Sequence, residues 1–431
     1  MEVCNGPILR QKENMRNICV IEGVMQKART SVLACFLLIV SLWNAKAETT
    51  TIEVLNYFNV EDQVKALNDA VASFEQANPD IKVQLTYVPF GQLLSRTLQT
   101  AAVHRPPAIS ALDNPDVLRA AEAGILKDLS GRMAEFPFWN NIYSGVRLAL
   151  TSGNHVYGIP IGSNGFALFY NKKLLRDAGI QEPPRDWDEL KKVAKALTKD
   201  PVYGFAFAAT NTEECTSAFE PFLWSNRGSL LDTDGSRAKE ALRLWMDMLN
   251  DGSVSHDVVT WNIGDVSNQF LGGKAAMMLM GPWMLPTIKR SGLDYGVAPV
   301  PVPKVGLKPV VAIGGEVWCV MKNNKKIEDA AVKFVSFMEQ PERLFKLCLT
   351  SNYISSVRDL AQKEGEINPD LKPYIEQMET AKPRASEGGD SYPQISQIVR
   401  TALQKVLTGQ SSIDSALVDA AAQIKALDIK Q

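Results

Sequence analysis

Apolar and polar positions in the first part of the chain change their spacing several times. Residues 51–58 are rich in β-formers, apolar residues recur at helical spacing over 64–74, and they alternate strictly over 81–87. A second helical segment covers 92–104, and a short apolar strand covers 108–112. A period of two favours strands, and a period near 3.6 favours helices. The order β-α-β-α-β therefore predicts a parallel sheet covered by helices.

A second set of strands and helices follows further along the chain. Apolar strands are predicted at 166–170, 203–208 and 275–280, with helical segments between them. Residues 297–303 are rich in Pro and Val, which favours an extended crossover. Residues 310–321 return to β character, and the remaining sequence is predominantly helical. The pattern therefore predicts two α/β units connected by rigid segments.

The first 47 residues have the pattern of a secretory signal peptide. An apolar run of twelve residues, 32–43, is too short to span a membrane. Lys27 and Arg29 precede it, and Ala45-Lys46-Ala47 follows as an A-x-A cleavage site. We expect cleavage after Ala47, and we interpret residues 1–24 as an upstream extension. A buried helix at the start of the first domain is the alternative interpretation.

Charge and cysteine usage fit an exported protein without a nucleic-acid partner. The 431 residues contain 46 Lys and Arg and 48 Asp and Glu, a net charge of −2. Removing six basic and three acidic leader residues leaves 384 residues, with 40 basic and 45 acidic, and a net charge of −5. No basic excess indicates nucleic acid. Cys215, Cys319 and Cys348 are widely spaced, which predicts buried thiols and leaves their pairing open.

Catalytic signatures are missing from the sequence. The three histidines, His104, His155 and His256, are isolated, and the sequence contains no HExxH, GxSxG or phosphate-binding loop. A pair of carboxylates acting on a glycoside remains compatible with the sequence, but solvated surface carboxylates are far more common. We therefore predict a protein that is not an enzyme and that has no cofactor or metal.

Four ordered segments carry a resemblance to a known family. They are Tyr157-Gly158-Ile159-Pro160 with 167–175, then 184–190 (PRDWDEL), then 270–277 with Gly281-Pro282-Trp283, and finally Gly314-Gly315 with the helix at 330–334. Together they resemble the family 1 extracellular solute-binding proteins of sugar ABC transporters, the family of the maltose-binding protein. The resemblance covers essentially all of residues 48–431.

The resemblance implies an α/β, two-lobe periplasmic binding protein fold with a ligand cleft between the lobes. Lobe 1 would comprise residues 48–158 plus 301–346, and lobe 2 residues 159–300 plus 347–431. The implied function is that of a periplasmic sugar-binding subunit of an ABC importer, acting as a monomer. Its implied partners are a carbohydrate ligand and membrane permease subunits with a separate ATPase.

Five polar and aromatic residues near strand ends are candidates for the ligand site. Trp283 follows a buried strand and, by the resemblance, would stack on a sugar ring; a core tryptophan is the alternative. Asp113 follows a strand of the first unit and could accept hydrogen bonds from sugar hydroxyls. Asn114 is a second candidate, with helix N-capping as the alternative. Tyr57 and Asn59 end the first strand and are further candidates, with ordinary strand-end packing as the alternative.

Five further candidates lie in glycine-rich segments. Asn164 sits in a small-residue loop and could reach a cleft, or form a turn. Gly314 and Gly315 would allow a ligand close to the backbone, or form a bulge. Glu316 and Trp318 follow on a strand and point to the same face.

The last candidates differ in chemistry from the rest. Trp224 would contact ligand or belong to a helix core, and Glu213 and Glu214 would face the cleft or, as the favoured interpretation, lie in a solvated loop. Arg358 would favour a carboxylate, sulfonate or phosphate group, with a surface arginine as the alternative. It motivates one rival function, a binder of glycerol phosphate or another anionic sugar derivative. A secreted carbohydrate-active enzyme is the other rival.

Overall fold

A computed structural model describes residues 49–427 and residue 429 of the chain. The predicted signal peptide, residues 1–47 with the extension 1–24, lies outside these residues. Most of the longer strands occur at or near the positions that the apolar pattern predicts. The strand bounds are β1 Thr50–Asn56, β2 Ile81–Tyr87, β3 Ile109–Asp113, β4 Thr151–Ser152, β5 His155–Val156, β6 Ile159–Pro160, β7 Ala167–Asn171, β8 Tyr203–Ala206, β9 Ala275–Met280, β10 Tyr295–Ala298, β11 Ala312–Ile313, β12 Glu316–Val320 and β13 Lys382–Pro383. Of these strands, β4, β5, β6, β10 and β13 are additional to that prediction.

Helices separate most of these strands and dominate the C-terminal part. Their amphipathic faces place apolar residues at three- and four-residue spacing against the sheets, as Leu67 and Phe74 do on the first helix. Their bounds are α1 Glu61–Ala77, α2 Leu93–Ala102, α3 Asn114–Glu122, α4 Ser144–Leu150, α5 Lys172–Asp177, α6 Trp187–Leu197, α7 Glu213–Ser225, α8 Ser236–Asn250, α9 Ile263–Leu271, α10 Leu285–Ser291, α11 Lys325–Met338, α12 Pro341–Ser351, α13 Arg358–Ile367, α14 Lys372–Met378, α15 Tyr392–Leu407 and α16 Ile413–Lys425.

The first sheet has the strand order β2-β1-β3-β12-β6. Strands β1 and β3 are parallel, as the opening pattern predicts. Strand β12 is antiparallel to both β3 and β6. The sheet is therefore mixed rather than purely parallel, because β12 enters it late in the chain and from the opposite direction. Strand β6 extends this sheet to Pro160, two residues past the predicted lobe boundary at 158; the boundaries themselves remain a prediction.

The second sheet has the strand order β10-β7-β9-β8. Strand β9 is buried along its whole length, and it pairs parallel with β8 and antiparallel with β7. Such burial on both faces explains why residues 275–280 read as a continuous apolar run rather than an alternating one. Strands β7 and β10 complete the sheet as an antiparallel pair. The carboxyl ends of β8 and β9 lie at the same edge, which positions the residues that follow them.

The start of α3 differs from the sequence prediction. Asn114 is the first residue of the helix, and the N-cap is Asp113, whose Oδ1 accepts a hydrogen bond from the Asn114 N–H at 2.9 Å. Pro115 then occupies the second helical position rather than the first. The cap moves by one residue because Asp113 is still extended as the last residue of β3.

The cysteines agree with the sequence prediction. Within the described residues Cys215, Cys319 and Cys348 are all buried and unpaired, which confirms the predicted buried thiols. Over the same part of the chain, no helix combines the length and apolar character that crossing a membrane requires. No group of His, Cys, Asp and Glu side chains there is arranged to hold a metal ion.

Candidate functional site

A cavity of about 280 Å³ lies where residues next to the strand ends of both sheets approach each other. We call its two sides the first wall, formed next to β1, β3 and β12, and the second wall, formed next to β7, β8 and β9 with residue 384. The lining residues are Tyr57, Asn59, Val60, Gln63, Phe90, Asp113, Asn164, Gly165, Phe166, Glu213, Glu214, Ser217, Ile263, Trp283, Ala312, Gly314, Gly315, Glu316, Tyr353 and Arg384.

The first wall is built by the register of β3 and β12. Asp113 ends β3 directly opposite Glu316, which begins β12, so the two carboxyl groups lie at one edge of the sheet. Tyr57, one residue after β1, donates a hydrogen bond from its hydroxyl to Oε1 of Glu316 at 2.8 Å. Burial raises the pKa of Glu316 to about 7, and the nearby Asp113 adds to the rise. The first wall therefore holds a carboxyl group that titrates near neutral pH.

Two glycines bring the backbone of the first wall close to the loop before β7. Gly314 and Asn164 exchange backbone hydrogen bonds of 3.0 and 2.9 Å. Gly315 has a φ of 128°, and a Cβ atom there would lie 2.2 Å from the carbonyl oxygen of Gly162. Only glycine tolerates both the conformation and the contact. These contacts place Asn164 in the lining of the cavity.

The second wall combines aromatic rings with the start of a helix. Trp283 follows β9 in the Gly281-Pro282 turn, and its ring meets Phe166 edge-on at 6.1 Å between centroids. Helix α7 begins after β8 with Glu213 and Glu214 in its first turn. Oε2 of Glu214 accepts a hydrogen bond from the Ile263 N–H at 2.9 Å. Burial raises the pKa of Glu214 above its usual value.

Arg384 joins the two walls. Its guanidinium donates to Oδ2 of Asp113 on the first wall and to Oε1 of Glu213 on the second wall, the latter at 3.2 Å. Only 7% of the side chain of Arg384, and 7% of that of Asp113, is exposed. A buried arginine can remain charged in such a place because carboxylates on both sides compensate it. These two contacts of Arg384 therefore fix the positions of both carboxylates at the cavity.

Residues of helix α15 also contact Glu213. The Tyr392 hydroxyl lies 2.5 Å from Oε1 of Glu213 and 3.0 Å from Oε1 of Glu220, and Ser396 donates to Glu213 as well. One hydroxyl hydrogen cannot serve two carboxylates. Burial, reinforced by the charge of Glu213, raises the pKa of Glu220 well above its usual value, which favours the protonated form of Glu220. The hydrogen of Tyr392 is therefore free to point to Glu213.

Eight of the twelve sequence-predicted residues line this cavity among the residues that the structure describes. They are Tyr57, Asn59, Asp113, Asn164, Trp283, Gly314, Gly315 and Glu316. Most of them directly precede or follow a strand of one of the two sheets, which is the position that the sequence argument used. Whether each contacts a ligand stays a prediction.

Two of the other candidates are buried behind the first wall. Trp318 lies two residues deeper along β12 than Glu316, and its ring packs edge-on against Phe334 of α11 at 5.6 Å. Asn114 donates from its side-chain amide to the Ile313 carbonyl at 3.0 Å. Trp318 shares a strand face with Glu316 but is covered by helix α11. The side-chain amide of Asn114 is bonded to the last carbonyl group of β11. Both are therefore removed from the candidate site.

The remaining two candidates are engaged elsewhere. Trp224 is buried in the last turn of α7, and Nζ of Lys382 lies 5.5 Å from its ring centroid. Arg358 donates to Glu379 at 3.3 Å and to the Ile142 carbonyl at 3.0 Å. The guanidinium of Arg358 is thus committed outside the cavity, which removes the observation that motivated an anionic ligand.

Comparison with known proteins identifies the family. Residues 59–343, more than half of the chain, match the model of the bacterial extracellular solute-binding protein family. The chain belongs to this family. The resemblance carried by the four sequence segments is thereby confirmed.

Individual relatives of this solute-binding protein agree with that assignment. A binding protein of Brucella abortus is 28% identical over 368 residues, covering 82% of this chain and 88% of the relative. The galactooligosaccharide-binding protein of Bacillus subtilis is 22% identical over 383 residues, covering 85% and 89%. A solute-binding protein of Thermotoga lettingae, solved with α-D-tagatose, superposes with a TM-score of 0.79 at 22% identity, covering 87% and 99%. The two-lobe α/β fold is therefore confirmed.

Sequence reasoning missed several lining residues of the solute-binding protein. For Glu213 and Glu214, which follow β8, the sequence analysis favours a solvated loop over the cleft, although an acidic pair after a strand is also typical of a first helical turn. Arg384 is 271 positions from Asp113, and no local pattern indicates their contact. The signal that could have found Arg384 is indirect: a buried aspartate at a strand end requires a cation from elsewhere in the chain.

Proposed function

We propose that this solute-binding protein is the periplasmic sugar-binding subunit of an ABC importer. The observation that carries the proposal is the cavity, where Trp283 and Phe166 offer apolar ring surface beside the carboxyl groups of Asp113, Glu213, Glu214 and Glu316. Aromatic faces suit the C–H surface of a sugar ring, and carboxylates accept hydrogen bonds from its hydroxyls. The galactooligosaccharide-binding relative supports the same ligand class.

In this function the protein captures ligand by lobe closure. A ligand that contacts both walls stabilises the closed form, because only that form makes both sets of contacts. The closed protein then delivers its ligand to membrane permease subunits, and a separate ATPase drives import. In this proposal the chain acts as a monomer, has no enzymatic activity and is exported by the signal peptide cleaved after Ala47.

Thermal unfolding with a panel of neutral mono- and oligosaccharides tests the proposal. A ligand at about 100 times its Kd stabilises the folded state by about 2.7 kcal/mol, which raises the Tm measurably. Carbohydrate analysis after incubation separates binding from turnover. If no carbohydrate shifts the Tm, or if products form, the receptor function is wrong.

A Trp283→Ala variant tests the aromatic surface itself. We expect its affinity for the ligand to fall at least tenfold, about 1.4 kcal/mol, because the ring surface facing the cavity is lost. Isothermal titration of the variant and the wild type with the same ligand measures the change. Wild-type affinity in the variant would place the ligand away from Trp283.

A further inference from the structure

The charged residues that line the cavity are unevenly distributed in sign. Four carboxyl groups, those of Asp113, Glu213, Glu214 and Glu316, and one guanidinium, that of Arg384, line it within the described part of the chain. Arg384 is paired with both Asp113 and Glu213. One positive charge thus faces two negative charges inside this group alone. The cavity offers no cation that is free to meet an anionic ligand.

Glu214 and Glu316 have no cationic partner to offset them. Glu214 accepts a backbone hydrogen bond from Ile263, Glu316 accepts one from the Tyr57 hydroxyl, and neither forms an ion pair with a described residue. Oε2 of Glu316 is buried and has no partner in hydrogen-bond geometry, although the side chain of Tyr353 lies nearby. Glu316 is 3% exposed, so this oxygen is buried without the well-formed hydrogen bond that buried polar groups normally make.

The aromatic residues of the cavity add to its preference for positive charge. The faces of aromatic rings attract cations through their quadrupole. Tyr57 and Phe90 meet edge-on at 5.0 Å on the first wall, and Phe166 and Trp283 do so on the second wall. The cavity thus combines two carboxyl groups that lack a cationic partner with aromatic rings.

We infer, resting on the proposed sugar-binding function, that the preferred ligand is a hydroxylated amine, an amino sugar or amino alditol whose protonated amine meets Glu214 and Glu316. A neutral sugar would satisfy the same oxygens through its hydroxyls but could not form an ion pair with the ionised form of either carboxyl group. An ammonium group forms charge-assisted hydrogen bonds, which are roughly twice as strong as neutral ones. Complementary charge therefore distinguishes the amine from its parent sugar.

Matched ligand series test this inference by isothermal titration at pH 7. Each series contains a parent sugar, its 2-amino-2-deoxy analogue and the N-acetyl form of that analogue, for glucose, galactose and mannose; sorbitol and its 1-amino-1-deoxy analogue form a fourth. In at least one series we expect the amine to bind about tenfold or more tightly than the parent. Acetylation, which removes the charge and keeps the nitrogen, should abolish this preference.

Variants locate the charge that is responsible. Glu214→Gln and Glu316→Gln should each reduce the ratio of amine to parent affinity severalfold, because each removes a carboxyl group that can ionise and form an ion pair with the ammonium group. Glu342→Gln is the matched control: Glu342 is exposed at the start of α12, and its loss should leave the ratio unchanged. A preference for the amine that survives both cavity variants would overturn the assignment to these residues.

The outcomes separate this inference from the function on which it rests. If parent sugars bind as tightly as their amines, or more tightly, in every series that binds, the inference is wrong and the sugar-receptor function stands. If neutral carbohydrates bind and no amine does, the result is the same. If neither the neutral panel nor the amines bind, both the inference and the proposed function fall.

Discussion

The two walls of the cavity are built in different ways from the same kinds of element. The first wall takes its polar groups from the ends of adjacent strands, with Asp113 and Glu316 directly opposite each other in the β3–β12 register. The second wall takes its charged groups from the first turn of α7 and from Arg384, a residue outside both sheets. One wall is thus defined by strand register, and the other by contacts between distant segments.

This difference teaches where polar groups at a cleft obtain their support. On the first wall, hydrogen bonding within the sheet fixes the backbone, and Asp113 and Glu316 take side-chain partners from Arg384 and Tyr57. On the second wall, Glu213 needs Arg384, Tyr392 and Ser396 to hold one carboxylate. The position of the Glu213 carboxylate, at a helix terminus, therefore depends on every member of this network.

The largest effect is expected for a tryptophan that lies behind the first wall. Trp318→Ala should lower the free energy of unfolding by about 3–5 kcal/mol, because it leaves a cavity in a fully buried core beside Phe334. Urea unfolding followed by circular dichroism measures the change. Trp283→Ala is the control: its ring is only partly buried, and we expect a loss of no more than about 1 kcal/mol. Equal losses would contradict the distinction between core and cavity tryptophan.

The second largest effect is expected for a substitution of Arg384, which joins the two walls. Arg384→Met should lower the free energy of unfolding by about 3–4 kcal/mol, because Asp113 and Glu213 lose their cation while Asp113 remains buried. Urea unfolding at pH 7 measures this effect.

A matched substitution controls for the loss of an arginine. Arg290→Met breaks the pair with Asp62, whose side chains are 55% and 35% exposed, and should cost less than about 1 kcal/mol. A loss at Arg384 no greater than that at Arg290 would show that burial does not strengthen the dependence of the walls on this pair.

The smallest effect is a change in pH dependence on the first wall. Glu316 holds its proton up to about pH 7 when folded and has an ordinary pKa of 4.5. The folded state therefore binds more protons between these values, and stability falls as pH rises from about 4.5 to 7. Glu316→Gln should remove up to about 3 kcal/mol of this decline.

Urea unfolding at half-unit steps from pH 4.5 to 8 measures the decline in wild type and variant. Circular dichroism at pH 7 first establishes that Glu316→Gln folds. Parallel curves for the two proteins would show that another buried group, such as Glu364 with a pKa raised by burial to about 8, causes the decline.

The strands and the first wall could be predicted from local pattern. β2 and β9 have the predicted bounds, and strand ends led directly to Tyr57, Asp113 and Trp283. The reversed direction of β12 could not be predicted, because alternation along a strand carries no information about the direction of its neighbours.

The candidates that lie outside the cavity show the same limit of local sequence pattern. Trp318 and Glu316 share a strand face, and sequence cannot tell how far the covering helix α11 reaches along it. Arg358 and Arg384 are chemically identical, and only tertiary contacts send one to Glu379 and the other to Asp113. Local pattern places elements, whereas partners of charged groups depend on the complete fold.

The contact between Asp113 and Arg384 also has a consequence for the order of assembly. The two residues are 271 positions apart, so the loop that their contact closes contains most of the exported polypeptide. A chain elongating from its N-terminus forms β3 long before its counter-ion has been synthesised. Asp113 therefore has no counter-ion until residue 384 has been synthesised, and truncation before Arg384 would leave Asp113 as a buried anion without a cation.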